Sequence, residues 1–200
     1  MAVRAVRAVQ GIPKDPAAVT AGDAATLLPA DKIQVNLHDL DRETAIARLF
    51  NTHYVSLVRL AALLGADDPE DIAAQAFYEL YRRWRKLRDS TATLPYLRSI
   101  VCNLTRMRLR HLQVVRKNMG WPSDQVESAE TQALLRHEQR AVVVALQRLS
   151  PRQREALVLR YWLDLKESEI AAVMGISCGA VKSHVARGMT ALSRAMESQT

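Results

Sequence analysis

The sequence predicts an all-α protein of two small helical domains joined by a flexible linker. Beyond about residue 40, apolar residues recur at spacings of three and four, as they do on one face of an α-helix. Of the 200 residues, 48% are hydrophobic, whereas only 5% are aromatic and only seven are glycine, and this balance favours helices. Gly120 and Pro122 break the helical pattern, which places the linker between the two halves.

The first half begins with a segment that has no sustained periodicity and several prolines and glycines. We therefore predict a disordered extension over residues 1–40. A helix follows over residues 41–64, and Gly65 ends it because glycine accepts a left-handed backbone conformation. A second helix runs over residues 69–88, with Pro69 and two acidic residues in its first turn, where they suit the positive end of the helix dipole.

The second helix carries a mixed polar face opposite its apolar side. Two interpretations of this face stay open: an ordinary solvated surface, or a surface that binds another protein. The face consists of Asp71, Gln75, Tyr78, Glu79 and Arg82.

A third helix, over residues 94–116, follows a polar loop at residues 89–93. Between Arg82 and Lys117 there are eleven basic residues and one acidic residue, Asp89, so this segment carries +10 while the whole chain carries +7. Solvated helices usually intersperse acids and bases. A stripe of one sign is better explained by phosphates, so we favour a nucleic acid partner over a plain solvated surface. The net charge of the whole chain likewise suggests a nucleic acid first and an anionic membrane surface second.

The second half contains the most informative stretch, residues 165–192. It follows a helix that ends near residue 149 and another that Pro151 opens. Apolar residues mark one short helix, Gly175 ends it, and Ser177 is a good N-cap for the next. Two helices joined by so tight a turn form a helix-turn-helix, although two packed helices of any bundle share the pattern.

The second helix of this motif turns small and basic residues outward. Small residues at a helix N-terminus, followed by a basic face, suit close approach to a phosphate-lined groove. These outward residues are Cys178, Gly179, Lys182, Ser183, Ala186 and Arg187.

Several classes of function find no support in the sequence. The two cysteines, Cys102 and Cys178, belong to no ligand-spaced cluster, which argues against a disulfide framework or a zinc site. We find no glycine-rich phosphate loop and no nucleophile elbow, so we expect neither an enzyme nor a cofactor. No apolar run approaches the roughly 20 residues that span a bilayer, and Arg4 and Arg7 interrupt the N-terminal stretch where a signal peptide would be apolar. We expect a cytoplasmic protein.

The order of these parts resembles a bacterial sigma-70-family RNA polymerase sigma factor of the extracytoplasmic-function (ECF) group. The resemblance rests on the stretches DPEDIAAQAFYELYRRW, LPYLRSIVCNLTRMRLR and LSPRQREALVLRYW, and on GAVKS in the helix-turn-helix. It implies sigma region 2 at residues 41–116, a linker at residues 117–131 and sigma region 4 at residues 132–200.

The resemblance also implies roles for matching positions. The mixed face of the second helix would bind core RNA polymerase. The loop at residues 89–93 and the helix after it would hold the −10 element through Asn103, Arg98, Arg106, Arg108, Arg110, Ser90 and Thr91. The last helix would read the −35 element through Ser177, Cys178, Gly179, Lys182, Ser183, His184 and Arg187.

Two other functions compete with a sigma factor, whose expected partners are core polymerase, promoter DNA and an anti-sigma protein. An autonomous helix-turn-helix regulator explains residues 165–192 and predicts tight duplex binding without polymerase. However, it gives the arginine-rich helix and the acid-started helix no joint purpose. A degenerate sigma factor that only binds polymerase as a scaffold is the third possibility.

Overall fold

The computed structural model describes Gln10 and residues 37–86, 92–119 and 137–198. These residues form helices and no β-strand, so the predicted all-α class is confirmed. A short 3₁₀ turn, Trp84–Lys86, follows α2, and a π-helical turn, Val158–Trp162, continues α5. In chain order the α-helices are α1 (Leu37–Leu64), α2 (Pro69–Arg83), α3 (Thr93–Met119), α4 (His137–Gln147), α5 (Pro151–Leu157), α6 (Glu167–Met174) and α7 (Cys178–Glu197).

Two helices extend beyond the borders that the sequence predicts. Residues 37–40 belong to α1 rather than to the extension, and residues 117–119 belong to α3 rather than to the linker. The reason is local: neither stretch contains a glycine or proline that would stop a helix. The rest of the predicted extension, apart from Gln10, and residues 120–131 of the predicted linker lie outside the described residues.

The first helical group consists of α1, α2 and α3. Gly65 ends α1 with a φ of 91°, and its N–H donates to the carbonyl of Ala62 at 2.9 Å. The side chain of Asp68 then caps α2 by accepting the N–H of Asp71 at 3.0 Å. Helix α1 packs on α2 and α2 packs on α3 around a mainly apolar interior. Its most buried large side chains are Leu57, Leu60, Leu80, Leu97 and Val101.

The second helical group consists of α4 to α7. Helix α5 and its π-helical turn lie at the centre and contact α6 and α7. Trp162 in that turn is fully buried. In the π turn, the N–H of Leu163 donates to the carbonyl of Val158 at 3.2 Å, five residues back.

The two groups pack against each other. Helix α3 contacts α6, α1 contacts α4 and α5, and the buried apolar side chains of both groups form one continuous cluster. The division into two domains stays a prediction. Where the two helical groups meet, the facing surfaces of both are partly buried. No helix in the described part of the chain combines the length and hydropathy needed to cross a membrane.

Candidate nucleic-acid interface

The helix-turn-helix is built as the sequence predicts. Gly175 takes a left-handed conformation, φ 64° and ψ 41°, and ends α6 by donating its N–H to the carbonyl of Ala171. Ser177 then begins α7, since its Oγ accepts the N–H of Ala180 at 3.2 Å. At the start of α6, the carboxylate of Glu169 accepts the N–H of Lys166 at 2.7 Å. These local bonds fix the angle at which α7 leaves the turn.

Helix α7 lies close to α5 because of a glycine. A Cβ at Gly188 would lie 3.1 Å from Cγ of Leu157 and 3.3 Å from the backbone oxygen of Gln153. Such distances are shorter than ordinary van der Waals contacts. Val181 and Leu192, on the same side of α7, are fully buried. The opposite side of α7 is thereby held away from the body of the protein.

That outer side carries the residues predicted for duplex contact. Among these residues only His184 is half-buried. Burial and the positive charges of Arg152 and Arg187 lower the pKa of the His184 imidazole, which favours its neutral form. Lys182 lies 3.6 Å from the carboxylate of Glu167, an ion pair between exposed groups that contributes little to stability. The exposed members of the set are Ser177, Cys178, Gly179, Lys182, Ser183 and Arg187.

Helix α3 brings part of the other predicted set together. Asn103 and Arg110 are exposed, and Oδ1 of Asn103 accepts a hydrogen bond from Nη2 of Arg106 at 2.6 Å. Positions 103, 106 and 110 follow helical spacing and therefore share one side of α3. Ser90 and Thr91, which were predicted to act beside them, lie outside the described residues.

Arg108 points to a different side of α3. Its Nε and Nη2 donate to the carboxylate of Asp67 at 3.0–3.1 Å, which ties α3 to the turn between α1 and α2. Burial alone would raise the pKa of Asp67, but the hydrogen bonds and charge of Arg108 and two backbone hydrogen bonds together outweigh it, so the pKa is lowered. The structure thus separates Arg108 from Asn103 and gives it a partner within the protein.

Arg106 and Arg98 face the second helical group. Nε of Arg106 lies 3.3 Å from Oε2 of Glu155, and the Glu155 side chain is only 3% exposed. Burial raises the pKa of Glu155, and the charges of Arg106 and Arg152 oppose that shift. Burial lowers the pKa of Arg98, and the negative charge of Glu169 on α6 opposes that shift. One flank of the basic helix is therefore already next to carboxylates of the same chain.

A buried arginine joins the groups nearby. Arg154 is 4% exposed, and its guanidinium donates to the carbonyls of Leu146, Gln147 and Leu149 at the end of α4. It also donates to the carbonyl of Leu64, the last residue of α1, at 2.7 Å. Burial lowers the pKa of Arg154 to about 10, so the guanidinium is still charged at neutral pH.

The burial of Arg154 and Glu155 was not predicted from the sequence. A signal was available, because these adjacent charges directly precede the apolar run ALVL at residues 156–159. Helical spacing places them on the side that also carries Leu157 and Val158. Buried charges at such positions need partners, and two of the partners here, the carbonyl of Leu64 and the guanidinium of Arg106, come from distant parts of the chain.

The mixed face of α2 is largely accessible. Asp71, Gln75 and Arg82 are exposed, the Tyr78 side chain is 60% exposed, and Glu79 is half-buried. The guanidinium of Arg82 lies 5.7 Å from the ring centroid of Tyr78 and 3.4 Å from the carboxylate of Glu79. An exposed tyrosine within a ring of charges is typical of a surface that contacts another protein.

Comparison with known proteins places these surfaces in context. The family pattern "Sigma-70, region 4" matches residues 139–192, which contain the helix-turn-helix. The chain is 34% identical to the RNA polymerase sigma-E factor of Streptomyces coelicolor over 148 residues, 70% of this chain and 80% of the relative. It is 30% identical to the ECF RNA polymerase sigma factor SigM of Mycobacterium tuberculosis over 156 residues, 75% of this chain and 76% of the relative.

A solved structure shares the fold. The sigma factor RpoE of Bartonella quintana, determined in complex with the anti-sigma factor NepR, matches with a TM-score of 0.60 at 20% identity. The match covers 82% of this chain and 98% of that one, so the similarity extends over both helical groups.

Proposed function

This chain belongs to the ECF group of sigma-70-family RNA polymerase sigma factors, and we propose that it binds core polymerase and directs initiation through two separate promoter contacts. As a sigma factor it is a regulator of transcription. We assign it no catalytic residue, metal or cofactor of its own, because RNA synthesis is the work of the polymerase. We also propose that it acts in the cytoplasm, together with the polymerase.

One observation carries the proposal: the same chain presents a helix-turn-helix with an exposed basic side and a separate arginine-rich helix. A rigid helix can read an intact major groove, whereas strand opening needs a pocket and a basic track for unpaired bases. We therefore assign residues 41–116 to sigma region 2 and residues 132–200 to sigma region 4, with the linker at residues 117–131.

We propose that α7 reads the −35 element. Lys182 and Arg187 supply positive charge for the phosphates, and Ser177, Cys178 and Gly179 let the helix start approach the backbone closely. Ser183 lies on the same exposed side, and His184 is half-buried at its border. A neutral His184 adds little attraction for phosphate at neutral pH.

We propose that α3 and the loop before it hold the separated −10 strand. In this proposal Asn103 contacts a base that has left the stack, and Arg98, Arg106 and Arg110 hold the backbone together with Ser90 and Thr91. Arg108 contributes positive charge from the far side of the helix, where Asp67 partly neutralises it. Trapping unpaired bases offsets the few kcal/mol that strand opening costs.

We propose that α2 binds core polymerase through Asp71, Gln75, Tyr78, Glu79 and Arg82. Each promoter contact alone is weak, and binding of both helical groups to one polymerase raises the effective concentration of the second contact. An anti-sigma protein is the further partner that we propose, because a relative of the same fold has been solved in such a complex.

Run-off transcription with purified core polymerase tests this function. We expect transcripts from a cognate promoter only when the chain and core polymerase are both present. Core-independent, tight duplex binding without any transcript would support an autonomous regulator instead. Stable binding to core polymerase without a transcript from any promoter would support the scaffold function.

A further inference from the structure

We propose that Glu167 is a specificity-determining residue of the duplex-reading surface, and that it acts by pairing with Lys182. The pair lowers the attraction of this surface for phosphates in general and holds the ammonium group of Lys182 ready for one phosphate of the cognate site. The inference rests on the proposed function, since it takes α7 as the helix that reads the −35 element. It adds a residue of α6 to a surface that otherwise consists of the N-terminal half of α7 and its cap.

A carboxylate of α6 lies beside the exposed side of α7. Oε2 of Glu167 lies 3.6 Å from Nζ of Lys182, and the two side chains are 42% and 67% exposed. The pair therefore joins the two helices of the helix-turn-helix and stays accessible from outside. In proteins with this motif the second helix enters the major groove while the first crosses the phosphate backbone. The carboxylate thus lies where duplex DNA is expected to approach.

The local structure does not require this carboxylate. Glu167 and Glu169 both lie in the first turn of α6, where an acidic residue suits the helix dipole. Glu169 already caps the helix, since its carboxylate accepts the N–H of Lys166 at 2.7 Å. An ion pair between two exposed side chains contributes little to stability. The place of Glu167 beside Lys182 is therefore better explained by an effect on DNA binding than by an effect on folding.

The first effect of Glu167 is on charge. Among the residues assigned to the −35 contact, Lys182 and Arg187 carry fixed positive charges, whereas the lowered pKa of His184 favours its neutral form. Binding to a non-cognate duplex depends almost entirely on attraction between such cations and phosphates. A carboxylate next to Lys182 partly cancels one of these two charges. Glu167 therefore weakens binding to every sequence.

The second effect of Glu167 is on position. A lysine side chain loses rotamer freedom when it binds a partner, and this loss opposes binding. Glu167 restricts the Lys182 side chain before DNA arrives. In the cognate complex, base contacts fix α7 in one register, so that Lys182 meets one particular phosphate and the prior restriction offsets part of the cancelled charge. On other sequences the register varies, and only the cancelled charge counts. Glu167 thus raises the ratio of cognate to non-cognate affinity.

Two glutamate-to-glutamine variants test this effect. Glu167→Gln removes the carboxylate charge with almost no change of shape. Glu197→Gln is the matched control, because it makes the same change of charge at the exposed last residue of α7, about 22 Å along the helix from Lys182. The full-length chain is titrated by fluorescence anisotropy, at several salt concentrations, against two short duplexes. One has a mixed sequence, and the other contains the −35 element of a promoter that the wild-type holoenzyme transcribes.

We expect Glu167→Gln to bind the mixed-sequence duplex several-fold more tightly, with a salt slope that is steeper by about 1. The −35 duplex should gain much less, so the ratio of the two affinities should fall several-fold. The control should change both affinities by the same small factor. In a chain that also carries Lys182→Met, Glu167→Gln should change the ratio no more than the control does, because the partner of the carboxylate is gone.

Two results would overturn the inference. The first is an affinity ratio that Glu167→Gln lowers no more than Glu197→Gln does. The second is an equally large fall of the ratio in the Lys182→Met background, because the carboxylate would then act without Lys182. Failure of the proposed function looks different: the wild-type chain then gives no core-dependent transcript from any promoter, whatever the salt slopes on the mixed-sequence duplex.

Discussion

Replacing Arg154 with methionine tests whether the buried guanidinium stabilises the contact of α5 with the end of α4 and the end of α1. Methionine keeps an unbranched side chain of similar reach and removes every donor. The substitution removes five hydrogen bonds: four to the backbone carbonyls of Leu64, Leu146, Gln147 and Leu149, and one to Oε1 of Gln147. It also removes a charge from a buried position. The two effects have opposite signs, so their sizes decide the outcome.

The magnitude follows from the structure. Five hydrogen bonds from a charged donor, each contributing about 1.5 kcal/mol at the lower end of the usual range, give about 7 kcal/mol. Burial lowers the pKa of Arg154 from its usual value to about 10. At about 1.4 kcal/mol per pKa unit, relief of that burial returns about 3 kcal/mol. The expected net loss in the free energy of unfolding is therefore about 4 kcal/mol.

Urea denaturation followed by circular dichroism measures this loss. Arg148→Met is the control, because Arg148 is exposed and donates to Oγ of Ser198 at 3.2 Å without reaching a buried carbonyl. We expect the control to change the free energy of unfolding by less than about 1 kcal/mol. A loss at Arg154→Met no larger than that of the control would refute the structural role of the guanidinium.

Three further predictions follow from other parts of the structure. Lys182→Glu should weaken duplex binding in a fluorescence titration and reduce the salt dependence of that binding. Arg194→Glu, about 18 Å further along α7, should have a smaller effect, and equal effects of the two variants would remove Lys182 from the interface. Gly188→Val should lower the free energy of unfolding by about 2 kcal/mol in urea, because a Cβ there already lies 3.1 Å from Leu157; an unchanged midpoint would contradict the close helix crossing. Burial lowers the pKa of His53, so its imidazole binds protons more readily in the unfolded chain and stability should fall as pH drops below about 6.5. In thermal melts, His53→Gln should reduce the loss of stability at low pH. An unchanged pH profile would show that His53 does not cause this loss.

The local parts of the fold follow from short-range chemistry, which explains why the sequence predicts them well. Gly65 and Gly175 both take a positive φ and end helices at the predicted residues. Ser177 caps α7 as expected, and Asp68 and Pro69 begin α2. Each of these features depends on residues within about four positions of one another, so sequence alone contains the necessary information.

The junction between the helical groups depends on contacts that sequence order hides. Arg154 bonds to the carbonyl of Leu64, 90 residues away, and Arg106 pairs with Glu155, 49 residues away. Helical periodicity specifies which side of a helix is apolar, but not which distant surface covers it. For the same reason, the basic stripe of α3 was recognised from sequence while its covered flank was not.

In the proposed function, one helical group holds separated strands while the other reads intact duplex. Permanganate footprinting of holoenzyme, on a promoter that the wild-type chain transcribes, tests this most directly when Asn103→Ala is compared with Lys182→Glu. For Asn103→Ala we predict loss of reactive thymines in the −10 element with nearly normal closed-complex binding. For Lys182→Glu we predict weaker closed-complex binding, with normal strand opening in the complexes that form. Normal permanganate reactivity for Asn103→Ala, or equal defects in both steps for the two variants, would contradict this division between the helical groups.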